Sequence, residues 1–389
     1  MTWSPQVLDL LAPLEDYTRL HAATLRRFGS RAIDLAFPNA RFLGDPRPYR
    51  ALADVAARSG PVELRYSPFG GFTPVRRRLA ADLSRRHDLA YDWTDIIATP
   101  GAAAALFVVL QALFAPPDRV MVVRPCWMDY PLYLAQLGLG CDLVAAADDK
   151  HLDLEMIEQS WTPRTRGVII SQPASPTGVV HTAAELTALA AVLSRLSGRS
   201  GEPPILIADE AHRDQVWADV ACPSPASAYP CTITVHSLSK GWDMQGQRIG
   251  YLAVSPHVDL RRQVARQLEQ GMRITGHCAP TALMQHVVAE LADTTPDNSA
   301  LAGLQQQARQ ELRDLSIDVV DAQATRFLYA RCPSADDLSF VAELAERGLL
   351  AMPSTLFHET GWFRLALNVP RPQLEAAMRT IGEVAATHA

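Results

Sequence analysis

Lysine is almost absent from this chain of 389 residues. Only Lys150 and Lys240 occur, and the remaining basic residues are all arginine. Arginine keeps its proton near neutral pH, whereas a desolvated lysine can become a free amine and attack a carbonyl. Lys240 lies in the segment SLSKGWDMQGQRIGY, between a predicted strand and a glycine-containing loop. Its setting indicates a nucleophilic lysine that forms a Schiff base; an ordinary solvated lysine is the alternative.

Three further segments place polar groups where apolar strands end. TPGAAAAL, from Thr99 to Leu106, runs through a Pro-Gly turn into a helix, whose first N–H groups predict an anion site. A plain strand-to-helix turn is the alternative. ILIADE places Asp209 at a strand end, where an acid could cap a helix, bind a metal or pair with a protonated ring nitrogen. SQPASPTG predicts an ordered loop at the same edge. Without further carboxylates and histidines at ligand spacing, we predict no metal site.

The elements that must position these groups alternate along the chain. Apolar runs separated by helical patterns predict strands, and this alternation predicts an α/β fold with a mostly parallel sheet between helices. The predicted strands are Ile96 to Thr99, Arg119 to Arg124, Gly167 to Ser171, Ile205 to Asp209, Thr232 to Ser237 and Gly250 to Val254. Loops at the carboxyl edge of such a sheet bind ligands.

The flanking segments predict a smaller α+β domain. A long helical stretch is predicted from Val258 through Leu291, with helices at Ser299 to Leu315 and Ala335 to Arg347 beyond it. Short strands are predicted at Arg326 to Ala330 and Phe363 to Leu367. We predict an N-terminal helix and extended arm over 1-45 that joins the small domain, a large domain over 46-275 and a small domain over 276-389.

Composition sets limits on the function. The net charge of -6 offers no field that would attract nucleic acid or an anionic membrane. The six cysteines form no CxxC pair and no metal-ligand spacing, which suits a reducing compartment. No segment combines the length and apolarity of a membrane span or signal peptide, so we expect a cytoplasmic protein.

Taken in order, these segments resemble the fold type I enzymes that depend on pyridoxal 5'-phosphate, specifically the class I/II aminotransferase family. The resemblance runs from about Phe37 to Val369, and SLSKGWDMQGQRIGY is its most specific part. It implies that Lys240 forms the internal aldimine and that Asp209 keeps the pyridinium nitrogen protonated. Ser237, Arg248 and the N–H groups of Ala102 and Ala103 would then bind the cofactor phosphate.

Three more residues match positions of that family. The resemblance implies that Trp127, in RPCWMDYP, stacks on the cofactor ring. It implies that Arg364, in WFRLALNVP, binds the substrate α-carboxylate, a bidentate task that suits guanidinium. Tyr66, in RYSPFGGFTP, would reach the phosphate of a neighbouring subunit, and so implies a homodimer. Core aromatics and a surface arginine are the alternative interpretations of these side chains.

Two positions depart from the family pattern. Ser175 stands where the family commonly has Asn, and His212 where it commonly has Tyr; both residues would contact the cofactor's 3'-oxygen. Either can donate a hydrogen bond, but histidine can also change its charge between pH 5 and 8. PSTLF, after Met352, also differs from the family's usual Pro-Gly-x-x-Phe.

The function predicted from the resemblance is transfer of an amino group from an amino acid to a 2-oxo acid. Elimination, replacement or cyclisation at Cβ or Cγ, as in relatives from secondary metabolism, stays open because of Ser175 and His212. A non-catalytic ligand sensor on the same fold is a third alternative. Arg364 accounts only for the α-carboxylate, so the sequence leaves the substrate side chain open.

Overall fold

The computed structural model of the protein describes residues 3–39, 45–61 and 63–388. Residues 40–44 of the predicted N-terminal arm therefore lie outside the described residues. Within the described part of the chain, the α-helices are α1 (Pro5–Phe28), α2 (Arg47–Arg58), α3 (Thr73–His87), α4 (Ala102–Leu113), α5 (Asp129–Gln136), α6 (Leu154–Gln159), α7 (Ala183–Ser200), α8 (Pro225–Ala228), α9 (Leu238–Gly241), α10 (Arg261–Ile274), α11 (Ala282–Leu291), α12 (Ser299–Asp314), α13 (Asp337–Glu346) and α14 (Arg371–Ala385).

The strands form one large and two small sheets. They are β1 (Ile33–Asp34), β2 (Ile96–Thr99), β3 (Arg119–Arg124), β4 (Gly140–Ala145), β5 (Thr165–Ser171), β6 (Ile205–Asp209), β7 (Thr232–Ser237), β8 (Gly250–Val254), β9 (Phe327–Arg331), β10 (Leu349–Leu350), β11 (Met352–Pro353) and β12 (Trp362–Ala366). The large sheet has the order β2-β8-β7-β6-β5-β3-β4. β8 runs antiparallel to both of its neighbours, and the other neighbouring pairs are parallel.

Helices cover both faces of the large sheet, as a parallel sheet requires. On one face α4, α5 and α10 pack in an apolar cluster with Ile169, Ile207 and Val235. On the other face α7 packs against Val168 and Leu206. The central strands are apolar on both faces because both are buried. α7 begins at a capping box in which Thr182 and Glu185 bond each other's backbone N–H groups.

A second apolar core lies around the three-stranded antiparallel sheet β11-β12-β9. The N-terminal segment joins this core: β1 pairs in parallel with β10, and the Tyr17 hydroxyl donates to the Ala351 carbonyl at 2.7 Å. The backbone N–H of Ala366 in β12 donates to the Leu35 carbonyl at 2.7 Å. The chain's first helix therefore packs against segments more than 300 residues later in the sequence.

Several element predictions differ from the structure; the strand predicted at Phe363 to Leu367, for example, is β12 at Trp362–Ala366. The helical stretch predicted from Val258 through Leu291 is two helices, α10 and α11, because Gly276 adopts φ +73° and a non-helical segment with Pro280 follows. β4 was not predicted; it is an edge strand whose Asp142 and exposed Leu143 hide the apolar alternation. The first small-domain strand begins at Phe327 instead of Arg326. The strands predicted at Ile96 to Thr99, Arg119 to Arg124 and Ile205 to Asp209 match β2, β3 and β6.

Candidate active site

A cavity of about 470 Å³ lies where β5, β6 and β7 end, between the large sheet and the three-stranded sheet. The parallel register places Ser171 beside Asp209 and Asp209 beside Val235, so the strand ends meet at one edge. Ten of the residues predicted for the site line this cavity: Ala102, Ala103, Trp127, Ser175, Asp209, His212, Ser237, Lys240, Arg248 and Arg364. Tyr66 is fully exposed and lies elsewhere.

Lys240 lies in α9, one turn after the end of β7. The pKa of its amine is lowered to about 8 by burial first, and then by the nearby guanidinium groups of Arg364, Arg326 and Arg248. Each of these effects disfavours the charged ammonium. A substantial fraction of Lys240 is therefore a neutral amine in weakly basic solution.

Lys150 has a different environment. Its buried ammonium lies 2.7 Å from Glu359 Oε1 and 4.4 Å from the centre of the Trp362 ring. The Lys150 amine is held by a carboxylate and an aromatic face, so it is not free to act as a nucleophile. Lys150 connects the loop after β4 to the three-stranded sheet, so the two lysines of the chain have separate tasks.

Asp209 ends β6 and is buried. The Tyr130 hydroxyl donates to its Oδ2 at 2.5 Å, and the Ala211 backbone N–H donates to its Oδ1 at 2.9 Å. Burial raises the pKa of Asp209 against the opposing effect of these bonds. A cationic group bound in the cavity would favour the charged form of this carboxylate, which burial disfavours.

Tyr130 was missed by the sequence reasoning. It is fully buried in α5, three residues after Trp127, and its hydroxyl also lies 3.0 Å from Ser171 Oγ. The signal was available in RPCWMDYP, where Tyr130 follows Trp127 by three residues just after the end of a predicted strand. Trp127 meets Tyr130 edge to face at a centroid distance of 5.4 Å. Trp127, just before α5, and Tyr130, in its first turn, are therefore positioned together.

The anion site is formed by the start of α4 together with Arg248. Gly101 adopts φ +88°, which brings its backbone against Arg248; a Cβ there would lie 2.6 Å from Nη2. α4 starts at Ala102, so its first N–H groups point into the cavity beside a guanidinium. Arg248 Nη1 donates to the Gln245 carbonyl at 2.9 Å. Ser237 lies at the same edge, and its Oγ accepts a 3.3 Å bond from the Ser239 N–H.

Gln215 fixes the proton on His212. Gln215 Nε2 donates to the Lys240 carbonyl at 3.0 Å, which leaves Oε1 to face His212 Nδ1 at 3.2 Å. An amide oxygen only accepts, so Nδ1 carries the hydrogen. Burial, followed by the positive charge of Lys240, lowers the pKa of His212 to about 3. The neutral ring thus keeps Nε2 as an acceptor, although the sequence reasoning expected a donor.

Arg364 lies in β12 and is buried. Its Nη2 donates to the Ala36 carbonyl at 2.6 Å, and its guanidinium lies 4.3 Å from the Phe327 ring centre. In the described part of the chain its buried Nε has no hydrogen-bond partner. Burial lowers the pKa of Arg364 to about 9. An unpartnered N–H on a desolvated cation suits a bound carboxylate.

The donor set fits pyridoxal 5'-phosphate. A lysine with a lowered pKa, a buried carboxylate with a raised pKa and an anion site at a helix start line one cavity. The unpartnered Arg364 Nε provides a further site for an anion. Ser175 also lines the cavity. Apart from this cavity, and among the described residues, His151, His181 and Glu185 place nitrogen and oxygen atoms of the metal-ligand type within 4.8 Å of one another.

Comparison with known proteins identifies the family. The model of the class I and II aminotransferases matches residues 33–381, so the chain belongs to that family. A probable N-succinyldiaminopimelate aminotransferase of Mycobacterium tuberculosis is 30% identical over 86% of this chain and 84% of its own length. A probable aspartate/prephenate aminotransferase of Rhizobium leguminosarum is 27% identical over 82% and 83%.

Solved structures show the same fold. An aminotransferase from Eubacterium rectale superposes with a TM-score of 0.91 at 21% identity, covering 96% of this chain and 95% of its own. The N-succinyldiaminopimelate aminotransferase of M. tuberculosis gives 0.83 at 24%, covering 96% and 99%. The predicted fold class and the prediction of an aminotransferase-type enzyme are confirmed. Among the described residues no helix has the length and apolarity to cross a membrane.

Proposed function

We propose that this chain binds pyridoxal 5'-phosphate and transfers the amino group of an amino acid to a 2-oxo acid. The observation that carries the proposal is the meeting, in one cavity, of the Lys240 amine, the buried Asp209 carboxylate and the anion site at α4. When bound, the cofactor supplies an electron-withdrawing ring that stabilises negative charge at the substrate Cα. The chain's residues bind that ring, orient the substrate and move the proton.

The cofactor would be bound at its phosphate by the anion site at α4 and at its ring by Asp209 and Trp127. The first N–H groups of α4, at Ala102 and Ala103, would hold the phosphate with Arg248 and Ser237. Asp209 would hold a proton on the ring nitrogen, and Tyr130 would keep the carboxylate aimed at it. Trp127 would cover a face of the ring. The raised pKa of Asp209 supports this role, since pairing with a cation relieves the cost of the buried charge.

Proton transfer would be the task of Lys240. Its lowered pKa makes a neutral amine available to act as a general base at the substrate Cα. Arg364 would orient the substrate through its α-carboxylate, which the unpartnered Nε and the aromatic faces beside the guanidinium support. Lys240 could then return the proton to the cofactor carbon that receives the amino group.

The experiment is a half-reaction of the cofactor-loaded enzyme with single amino acids. We expect stoichiometric oxo acid and pyridoxamine phosphate, without free ammonia. Lys240→Ala should lower turnover by about 10²-fold or more while the fold is kept, because the general base is lost. Lys240→Arg is the matched control, since it keeps the charge without a free amine. Turnover at the wild-type rate in either variant would refute the role of Lys240.

Diversion of the reaction to Cβ or Cγ is the second candidate. His212 favours it, because a hydrogen-bond acceptor faces the cavity where relatives commonly have a donor. Free ammonia released without pyridoxamine phosphate would identify this outcome in the same experiment. We further propose a homodimer, to which Tyr66 would contribute its exposed side chain.

A further inference from the structure

Of the charged side chains among the described residues that line the cavity, all but one have a role in the proposed function. Asp209 is held by Tyr130 and Ala211. Arg248 borders the anion site, and Arg364 carries the unpartnered Nε that suits an α-carboxylate. Asp129 is the remaining carboxylate in the cavity wall. The proposed function uses the other charges and leaves Asp129 unexplained.

Asp129 is the first residue of α5 and is half-buried. Its side chain forms no hydrogen bond or ion pair with the residues that the structure describes. Trp127 and Met128 line the same wall, and burial raises the pKa of the carboxyl. A desolvated carboxylate without a partner is costly, and the cost is recovered when a cation binds.

Among the described residues that line the cavity, the cationic side chains are Lys240, Arg248 and Arg364, and each already has a task in the proposed function. Arg326 also lies near Lys240; its Nη2 is paired with Asp243, its buried Nε has no hydrogen-bond partner among the described residues, and it is not part of the described cavity wall. The remaining wall is largely apolar, with Leu14, Phe37 and Met352. The cavity therefore offers a substrate side chain an apolar passage and one free negative charge.

We propose that Asp129 binds the positively charged distal group, an ammonium or a guanidinium, of an amino-acid substrate. This inference rests on the proposed function and names its substrate class. The proposed substrate class differs from the compounds in the names of the relatives above. Those names give aspartate, prephenate and N-succinyldiaminopimelate, and each of these compounds carries a carboxylate beyond the α position. The aliphatic part of the side chain would lie against the apolar wall, as the stems of long cationic side chains commonly do.

The test compares kcat/KM of the cofactor-loaded enzyme for ornithine, lysine and arginine, for neutral norleucine, and for glutamate, with a common 2-oxo acid. At least one cationic donor should exceed norleucine by about 10-fold or more, since only the cationic donors can form a charge-assisted hydrogen bond with Asp129. Asp129→Asn should remove that preference and change the norleucine value by less than about 3-fold. Asp148→Asn, which removes an exposed charge outside the cavity, is the matched control and should keep the preference.

Either of two outcomes would overturn the inference: norleucine and glutamate both exceed every cationic donor, or Asp129→Asn weakens all donors equally. Failure of the proposed function is distinct, because then no donor gives oxo acid. If no donor gives oxo acid, calorimetric titration of arginine and of norleucine into the cofactor-loaded Lys240→Ala variant still tests binding at Asp129. Tighter binding of arginine, lost on Asp129→Asn, would support the cation site without turnover; equal binding would refute it.

Discussion

Single residues decide the polarity of the site. His212 is held by Gln215, whose amide orientation is fixed in turn by the backbone carbonyl of Lys240. These hydrogen bonds leave His212 Nε2 without a proton. The residue type alone therefore did not determine whether His212 donates or accepts a hydrogen bond in the cavity. Tyr130 acts in a similar way on Asp209, through the 2.5 Å bond to Oδ2. Neighbours therefore set what each polar side chain can do.

The tautomer of His212 can be measured directly. In protein labelled with ¹⁵N-histidine, we expect His212 to stay neutral with the proton on Nδ1 from pH 5 to 8, because its pKa is lowered to about 3. Gln215→Leu should weaken this preference, since Nδ1–H loses its acceptor, and should shift the pH dependence of the cofactor's visible band. The wild-type spectrum is the reference. A proton on Nε2, or a charged ring at pH 7, would contradict the assignment.

Secondary-structure elements set the distances between these residues. The β2–α4 turn brings Gly101 so close to Arg248 that a methyl group has no space, and the anion site depends on that contact. Six predicted strands of the large sheet are present, and their ends carry Asp209 and Ser237 as the apolar runs indicated. The break between α10 and α11 was missed because a helical pattern continues on both sides of Gly276. The domain limits after residues 45 and 275 stay a proposal.

Gly101→Ala tests the anion site at the level of the turn. The added Cβ at φ +88° would push Arg248 Nη2 away, so we expect cofactor affinity to fall by about 10-fold or more, roughly the value of one charge-assisted hydrogen bond. Gly201→Ala is the control, because Gly201 has φ +79° and nothing within 4 Å of a Cβ. Gly201→Ala carries the backbone strain of a left-handed residue, about 1 kcal/mol, whereas Gly101, at φ +88° and ψ 170°, lies in a region that is essentially restricted to glycine, so its variant is more strained. Equal effects on affinity, by fluorescence titration, would exclude a specific role for Gly101.

The buried ion network behind β6 ties α3 to the site. His87 Nε2 lies 3.0 Å from Glu210 Oε2, and Arg213 Nη1 donates to the same oxygen at 2.9 Å. Burial alone would raise the pKa of Glu210, but His87, Arg213 and Ser224 together lower it to about 2. Since the folded pKa is lowered, the stabilisation is present above the unfolded pKa and is lost as the pH falls toward 2.

Glu210→Gln should expose this pH dependence. At pH 7 the variant should lose about 3 kcal/mol of unfolding free energy or more, because the Arg213 guanidinium remains buried without its carboxylate partner. The difference from wild type should shrink below about pH 5 as the unfolded state takes up the proton. Urea denaturation at pH 3 to 7 measures it, with Glu202→Gln on the exposed surface as the control. A difference independent of pH would contradict the network's role.

At the scale of the whole molecule, the full exposure of the Tyr66 side chain has no explanation within a single subunit. Its side chain is fully exposed and lies beside Pro68, Phe72 and Thr73, away from the cavity. An exposed aromatic at this place supports the proposal that a second copy of the chain receives it. The cavity is otherwise assembled from distant segments, from Phe37 in the N-terminal arm to Arg364 in β12.

Subunit mixing tests whether Tyr66 acts on a neighbour. Lys240→Ala and Tyr66→Ala proteins should each have low activity. If Tyr66 serves the partner subunit, a hybrid dimer has one site with both defects and one intact site, so refolding the two together should restore about a quarter of wild-type activity at random pairing. Lys240→Ala refolded with Arg364→Ala is the control, since both defects concern the same cavity. No restoration would place Tyr66 within its own subunit.

The sequence by itself determined six of the seven strands of the large sheet, the lysine segment and the strand-end acid, because alternating apolar runs and Gly-Pro turns are local signals. It also indicated most residues of the cavity through their family resemblance. Only the tertiary structure decided that Lys150 is paired with Glu359, that Tyr130 holds Asp209 and that Gln215 fixes the His212 proton. The pKa values of Lys240 and Asp209 likewise depend on burial and on charges brought together from distant segments. Such values arise from distances that no local pattern encodes.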